Sequence, residues 1–155
     1  MAPQGTPAVS SDITIEARPE ALYSLITDLP TLVELAEETT AMRWTKGDSA
    51  RPGAVFKGSN RNGRRTWSTT CTITEADPGR LFAWDVRSGP VPVAHWRYEI
   101  NPGEDDCRVT ESMWDQRPGW LRRIGVYLTG VPDRESANSE HIKVTLQRLK
   151  ARAER

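Results

Sequence analysis

The sequence is short of several residue types, and each shortage argues against a class of protein. Its 155 residues contain only two cysteines and two histidines. The cysteines are far apart, which argues against both a disulfide framework and a structural zinc site. No apolar run approaches the roughly 20 residues that a membrane-spanning helix needs. We therefore expect no metal, no other cofactor and no membrane insertion, and two isolated thiols are typical of reduced cytoplasmic proteins.

Charge of one sign is also lacking, since 21 basic and 21 acidic side chains cancel. A net charge of zero gives no global electrostatic reason to expect nucleic acid as a partner. The charge is nevertheless segregated, with acids in excess over residues 1–50 and bases in excess over residues 117–155. The simpler interpretation is that the two ends of the chain lie together and attract. The other is a basic surface for an anionic partner.

The length fits a single domain, and the N-terminal half begins with a tail and two short helices. Residues 1–8 predict a disordered tail, so the domain spans residues 9–155. Alternating apolar residues predict a first strand over 9–17. A helix is then expected from Pro19, and a second one over 31–37 with Thr31 as its N-cap.

From residue 39 the apolar period changes to two, which predicts six consecutive strands. They are expected at 39–44, 54–61, 65–76, 80–87, 93–101 and 107–115. Short turns between them make an antiparallel meander, and Asn62-Gly63 is the clearest two-residue hairpin turn. Helices at 118–129 and 133–155 follow. The fold class is therefore α+β, because no strand-helix-strand crossover is required.

Four segments of the chain resemble one superfamily. They are residues 15–23 (IEARPEALY) with Asp28, residues 60–63 (NRNG) with Trp67, residues 129–134 (TGVPDR) with Asn138, and residues 145–150 (TLQRLK). They resemble the Bet v 1-like or START-like (SRPBCC) proteins, in particular the actinobacterial polyketide cyclase/dehydrase and lipid-transport branch. The resemblance implies the helix-grip fold, in which a curved sheet of about seven strands encloses a cavity against the long C-terminal helix. Fold alone does not identify the activity.

Strand alternation predicts which side chains line that cavity. The sequence has six tryptophans beside two phenylalanines, and four of the tryptophans fall on one inner surface. The predicted ligand contacts are Trp44, Phe56, Trp67, Thr69, Cys71, Phe82, Trp84, Trp96, Met113, Asn138 and Ile142. Two interpretations stay open, a core filled by large rings and a flat-walled pocket for an aromatic or polycyclic ligand. Inward polar side chains favour the pocket, because an apolar core does not need them.

The candidate catalytic residues are Glu111, Asn60 and Tyr98. An inward Glu111 would have a raised pKa and could move protons near neutral pH, whereas an ion pair or an outward side chain is the alternative. Asn60 and Tyr98 would hold carbonyl oxygens of a ligand.

Other polar residues are expected to have structural or surface positions. By alternation His95 points outward, and both His95 and His141 are predicted to be surface residues. Asp133 and Arg134 are expected to pair with each other at the start of the last helix. Arginines cluster at the Asn62-Gly63 turn, either to guide an anionic substrate tail or as a solvated edge.

Three functional hypotheses follow. The first, which the resemblance slightly favours, is a cyclase or dehydratase-like enzyme that acts on a polyketide-like, carbonyl-rich hydrophobic molecule by enolisation, ring closure or water loss. The second is a carrier or sensor that binds a lipid-like ligand without reaction. The third is a small regulatory module whose basic helix binds a protein partner, and a homodimer is left open.

Overall fold

The fold is described from a computed structural model, over residues 5–130 and 133–155 without the side chains of residues 126 and 129. Residues 1–4 of the predicted tail, and Val131 and Pro132 of the TGVPDR segment, lie outside this description. The strands are β1 (Val9–Ile15), β2 (Thr39–Lys46), β3 (Val55–Asn62), β4 (Arg65–Asp77), β5 (Leu81–Ser88), β6 (Val91–Pro102) and β7 (Cys107–Asp115). The helices are α1 (Pro19–Ile26), α2 (Leu29–Leu35), α3 (Gly119–Thr129) and α4 (Arg134–Ala153).

The seven strands form one antiparallel sheet in the order β1-β7-β6-β5-β4-β3-β2. Each strand from β2 to β7 pairs with the next one along the chain, and β1 joins the free side of β7. Register shifts occur in β2–β3, β4–β5 and β5–β6, and such irregularities bend and twist a sheet. The predicted α+β helix-grip architecture is confirmed.

Helix α4 closes the sheet through a narrow apolar stripe. Ile142, Leu146 and Leu149 are spaced three and four residues apart, so they share one helix face, and all three are buried. Burying a side chain of this size stabilises the fold by about 1.5–3 kcal/mol. The side chains of Thr145 and Arg148 also donate to the carbonyl of Leu35, over 3.3 and 3.2 Å. Helix α2 is thereby attached to α4.

Ion pairs join the two ends of the chain, as the segregated charge predicts. Arg152 lies 3.1 Å from Glu34, and the Arg134 guanidinium pairs with Glu38. His141 adds a contact of 3.2 Å to Glu37. The simpler interpretation of the charge pattern is therefore confirmed.

The described end of the predicted tail is bonded to β7. The Trp114 indole nitrogen donates to the Gly5 carbonyl over 3.1 Å, and the Ala8 amide donates to the Met113 carbonyl over 2.8 Å. These bonds hold residues 5–8 beside the outer face of the sheet.

The predicted surface position of His95 is wrong. Alternation gives its face correctly, but the imidazole is fully buried. Its Nδ1 lies 2.7 Å from Asp85, and its ring meets Trp114 edge-on at 5.5 Å between centroids. The neighbouring side chains on the outer face, Trp114 above all, are large enough to cover it.

The β3–β4 hairpin is present, but its turn lies one residue later than predicted. Asn62 pairs with Arg65, so the two turn residues are Gly63 and Arg64. Gly63 has a φ of 63°, and no described non-glycine residue has a positive φ. A positive φ at the first turn residue alone defines a type II′ turn.

The predicted cap of α2 is also wrong, because the helix begins earlier. Its N-cap is Asp28, whose carboxylate accepts from the Thr31 amide at 3.1 Å and from the Thr31 hydroxyl at 2.6 Å. Pro30 is tolerated in the first turn, where no helical hydrogen bond needs its amide.

We predict that Asp28→Ala lowers the free energy of unfolding by about 1 kcal/mol, because two hydrogen bonds at the helix start are lost. Asp28→Asn should retain most of the stability, since an amide oxygen can accept the same bonds. The measurement is urea denaturation followed by circular dichroism. Asp48→Ala, in an exposed loop, is the charge-matched control, and an equal effect of both alanine variants would contradict the capping role.

Candidate ligand cavity

A cavity of about 390 Å³ lies between the concave face of the sheet and α4. That volume is within the usual range for small-molecule sites. The five central strands β3–β7 supply its floor, the N-terminal half of α4 one wall and the inner face of α3 another. Helix α2 ends at Leu35, and the segment that follows it, residues 36–39, also lines the cavity.

Most of the predicted site residues lie on the wall of this cavity. They are Phe56, Asn60, Trp67, Thr69, Cys71, Trp84, Trp96, Tyr98, Glu111, Met113, Asn138 and Ile142. Two predicted contacts, Trp44 and Phe82, do not line it. Trp44 packs edge-on against Phe56 at 5.7 Å, and the fully buried Phe82 packs on Trp84 at 5.0 Å. Alternation gives the face of a residue but not its position along the groove.

Aromatic rings form a continuous cluster under the cavity. Trp84 is at its centre, with ring centroids 6.1 Å from Phe56 and 5.9 Å from Tyr98. Trp67 and Trp96 are only partly buried and face the empty space. The tryptophans therefore divide between the two interpretations. Trp44 packs on another ring as core, whereas Trp67 and Trp96 line a cavity.

Glu111 is the buried acid of the cavity. It lies opposite Tyr98 in the β6–β7 register, and its residue is only 4% exposed. Burial raises the pKa of Glu111 to about 8, although the hydrogen bond from Tyr98 acts in the opposite direction. Its Oε1 atom is buried with no hydrogen-bond partner. At neutral pH the carboxyl is therefore mainly protonated, and one of its oxygens has no hydrogen bond within the protein.

Tyr98 is held in its neutral form. Burial, followed by the nearby Glu111, raises the pKa of Tyr98 well above its ordinary value. The phenol is therefore a hydrogen-bond donor to Glu111 across the working pH range.

Asn60 is a buried polar residue whose amide already has protein partners. Its oxygen accepts from the Thr39 hydroxyl at 2.9 Å, and its nitrogen donates to the Thr69 hydroxyl at 3.3 Å. The amide thus connects β2, β3 and β4 across the cavity floor. Cys71, two residues after Thr69 on the same face of β4, is neutral because burial raises the pKa of its thiol to about 12.

A second polar cluster, which the sequence did not predict as part of the site, lies at the α4 side of the cavity. Arg134 bonds Glu38 through Nη1, whereas its Nη2 is buried without a partner. The guanidinium lies 5.8 Å from the Trp67 ring centroid, within reach of a cation–π contact. His141 bridges to the same Glu38 at 3.5 Å. Both residues line the cavity wall.

The expected Asp133–Arg134 pair is wrong, and so is a purely surface position for His141. Asp133 instead caps α4, because its carboxylate accepts from the amide and hydroxyl of Ser136 at 3.1 and 2.7 Å. Helical spacing is the signal that could have found the cluster. Arg134 is four residues before Asn138 and His141 three after it, so all three share one helix face.

Residues 5–130 and 133–155 contain neither a metal-binding cluster nor a membrane-spanning helix. No group of three or more metal-ligating side chains is placed to hold a metal ion. No helix in this part of the chain is long and apolar enough to cross a membrane.

A family model for polyketide cyclase / dehydrase and lipid transport matches residues 6–154 of the chain. The chain belongs to this family. No curated protein sequence matched it in a separate comparison. The resemblance inferred from the IEARPEALY, NRNG and TGVPDR segments is therefore confirmed at the level of the family.

Solved structures of similar fold come from distant organisms. A Polyketide_cyc-like protein from Corynebacterium glutamicum is 25% identical, with a TM-score of 0.63 over 95% of this chain and 91% of its own. The Deinococcus radiodurans protein DR_A0006 is 18% identical, with a TM-score of 0.67 over 94% and 96%. Ginseng major latex-like protein 151, from Panax ginseng, is 10% identical, with a TM-score of 0.69 over 94% and 95%. The last two show the shared fold.

We predict that Glu111→Gln makes the free energy of unfolding of this protein less sensitive to rising pH between about pH 4.5 and pH 8. The unfolded chain loses the carboxyl proton near pH 4.5 and the folded protein near pH 8. Between those values the folded state binds more protons, so its stability falls with rising pH at roughly 1 kcal/mol per pH unit. Glutamine is isosteric with the protonated acid and has no such slope.

The measurement is urea denaturation of both proteins at intervals from pH 5 to pH 8. Other groups titrate in both proteins, so the informative quantity is the difference between the two stability profiles. Parallel profiles would contradict the raised pKa.

Proposed function

We propose that the protein binds a small hydrophobic, polyketide-like molecule in the cavity and acts on it as a cofactor-independent cyclase or dehydratase. The single observation that supports a reaction is the unpartnered Oε1 of Glu111 inside the cavity. A buried polar oxygen without a partner costs about 1–3 kcal/mol in the empty protein. A ligand carbonyl or hydroxyl would supply the missing hydrogen bond.

In the proposed reaction the protonated Glu111 gives its proton to a ligand carbonyl oxygen. The activated ligand then loses an α-proton to water and becomes the enol, and the Glu111 carboxylate recovers a proton from that water. During the cycle the Tyr98 hydroxyl donates to the carboxylate and stabilises its charge. The enol carbon can then bond to a second carbonyl carbon of the folded ligand, which closes a ring. The enol hydroxyl gives its proton to water as its carbonyl re-forms, the attacked carbonyl oxygen takes a proton from Glu111 and becomes a hydroxyl, and Glu111 recovers a proton from that water. The aromatic floor would hold the ligand in that folded shape.

A carrier is the second candidate, and the state of the other polar residues favours it. The Asn60 amide is hydrogen-bonded to Thr39 and Thr69, and the Cys71 thiol is neutral, so neither is ready to take part in a reaction. In a carrier, Glu111 and Arg134 would only anchor the polar ends of an amphipathic ligand. Both candidates use the same cavity.

We also propose a cellular compartment for the protein and its branch within the family. Both cysteines are free and buried, which is typical of a reducing compartment, so we propose a cytoplasmic location. The similarity to a Corynebacterium glutamicum protein supports our proposal that the chain belongs to the actinobacterial branch of the family.

We predict that Cys71→Phe lowers the affinity for a hydrophobic probe by about tenfold or more, because the added ring fills the cavity. The probe is a hydroxyanthraquinone, and binding is measured by quenching of tryptophan fluorescence. Thr70→Phe is the matched control, since Thr70 is the adjacent residue on the opposite face of β4 and is not part of the cavity wall. Equal affinities of the two variants would place the probe elsewhere.

We predict that the protein accelerates hydrogen–deuterium exchange α to the carbonyl of 2-tetralone, a simple bicyclic ketone that can only enolise. The acceleration should fall as pH rises through about 8, where Glu111 loses its proton. Glu111→Gln should lower it by about a hundredfold, whereas Glu104→Gln, in an exposed loop, should leave it unchanged. The measurement is proton NMR in deuterated buffer. Probe binding without any acceleration would favour the carrier.

A further inference from the structure

The exposed apolar surface of the protein is concentrated on one helix. All the large hydrophobic residues that are exposed in the described part of the chain lie on α3: Trp120, Ile124, Tyr127 and Leu128, at 55%, 41%, 75% and 50%. Their spacing of four, three and one residues places them along one helix face. Contiguous exposed apolar surface of this kind marks an interaction site more often than scattered residues do.

Basic side chains flank this apolar face. Residues 117–130 contain three arginines, of which Arg117 and Arg122 pair with Asp115 and Arg123 does not. The β3–β4 hairpin at residues 61–65 contains three more arginines and no acid. The hairpin lies against the end of α3, because Arg65 Nε donates to the Tyr127 carbonyl over 3.1 Å. Arg64 and Arg123 are exposed. The overall charge of zero therefore conceals a local positive surface beside the apolar one.

The same helix also forms part of the cavity wall. Leu121, Gly125 and Leu128 of α3 line the cavity, while Trp120 and Tyr127 face solvent. Leu128 belongs to both sets, so the exposed apolar surface borders the cavity wall on this helix.

We propose that α3 and the β3–β4 hairpin form a peripheral docking surface for an anionic lipid bilayer. Tryptophan and tyrosine prefer the boundary between lipid and water, and an apolar helix face flanked by arginine lies in that boundary. The exposed Arg64 and Arg123 would contact lipid phosphates. The docking is peripheral, with α3 lying in the plane of the membrane surface.

The flanking charge favours a bilayer over a second copy of the chain. A symmetric dimer through α3 would bring the two sets of arginines together, and like charges repel at such an interface. An anionic bilayer complements both the apolar face and its basic border. If the cavity binds a hydrophobic ligand, as proposed above, docking would let that ligand pass between lipid and cavity without crossing water.

The test is flotation of the full chain with vesicles of phosphatidylcholine alone and of phosphatidylcholine with roughly a third phosphatidylglycerol. We expect at least about tenfold tighter binding to the anionic vesicles, with the difference lost at high salt. Brominated lipids should quench part of the tryptophan fluorescence. Trp120→Phe should remove most of that quenching while vesicle binding is retained.

Two variants test the two halves of the surface. The double variant Trp120→Ser/Tyr127→Ser should bind anionic vesicles at least about tenfold more weakly, because both aromatic residues are lost. Arg123→Glu should weaken binding severalfold. Arg51→Glu makes the same charge change at an exposed position in the β2–β3 loop, at the opposite end of β3, and should bind as the wild type does.

Several outcomes would overturn the proposal. They are equal binding to neutral and anionic vesicles, binding that the double variant retains, and the absence of vesicle binding. A dimer that Trp120→Ser dissociates would instead assign the surface to a second copy of the chain. Vesicle binding is measured without a ligand, and Cys71→Phe should bind vesicles normally. Unchanged probe affinity in that variant would therefore contradict the cavity proposal and leave the docking proposal standing, and failure to dock would leave the cavity proposal standing.

Discussion

The arrangement of the cavity depends on how far the apolar stripe of α4 extends. Leu146 and Leu149, in the C-terminal half of the helix, are almost completely buried. The N-terminal half instead presents Arg134, Asn138 and His141 along the same side, and all three line the cavity. Long polar side chains cannot pack into a sheet as closely as leucines do. The C-terminal half of α4 therefore closes the fold, and its N-terminal half leaves space beneath it.

Burial of Glu111 reduces the stability of the empty protein but prepares the cavity for a polar ligand group. The carboxyl receives a hydrogen bond from Tyr98, whereas its second oxygen has none. Replacing an acid by an apolar residue at such a position commonly stabilises a fold. A buried acid with only one hydrogen-bonded oxygen is typical of functional sites, where stability is sacrificed to position a reactive or binding group.

Local patterns predicted the sheet well and the polar network poorly, for a physical reason. Alternation is a property of neighbouring residues, so the inward position of Glu111 follows from the apolar residues on either side of it. The partner of Arg134 is Glu38, 96 residues away, and no local pattern contains that pairing. His95 is buried because Trp114 of the neighbouring strand covers it. Alternation along a strand gives the face on which a residue lies, but side chains of neighbouring strands decide whether that residue is buried.

Hydrogen bonds between α4 and the end of α2 hold one wall of the cavity in place. Thr145 and Arg148 both donate to the Leu35 carbonyl, and Arg148 also donates to the Ala36 carbonyl over 3.0 Å. Separating α2 from α4 would break all three bonds. All three acceptors are main-chain carbonyls, so a change of side chain at Leu35 or Ala36 would leave them in place. The position of α4 in the cavity wall is therefore fixed by the backbone of the segment after α2 and not by its side chains.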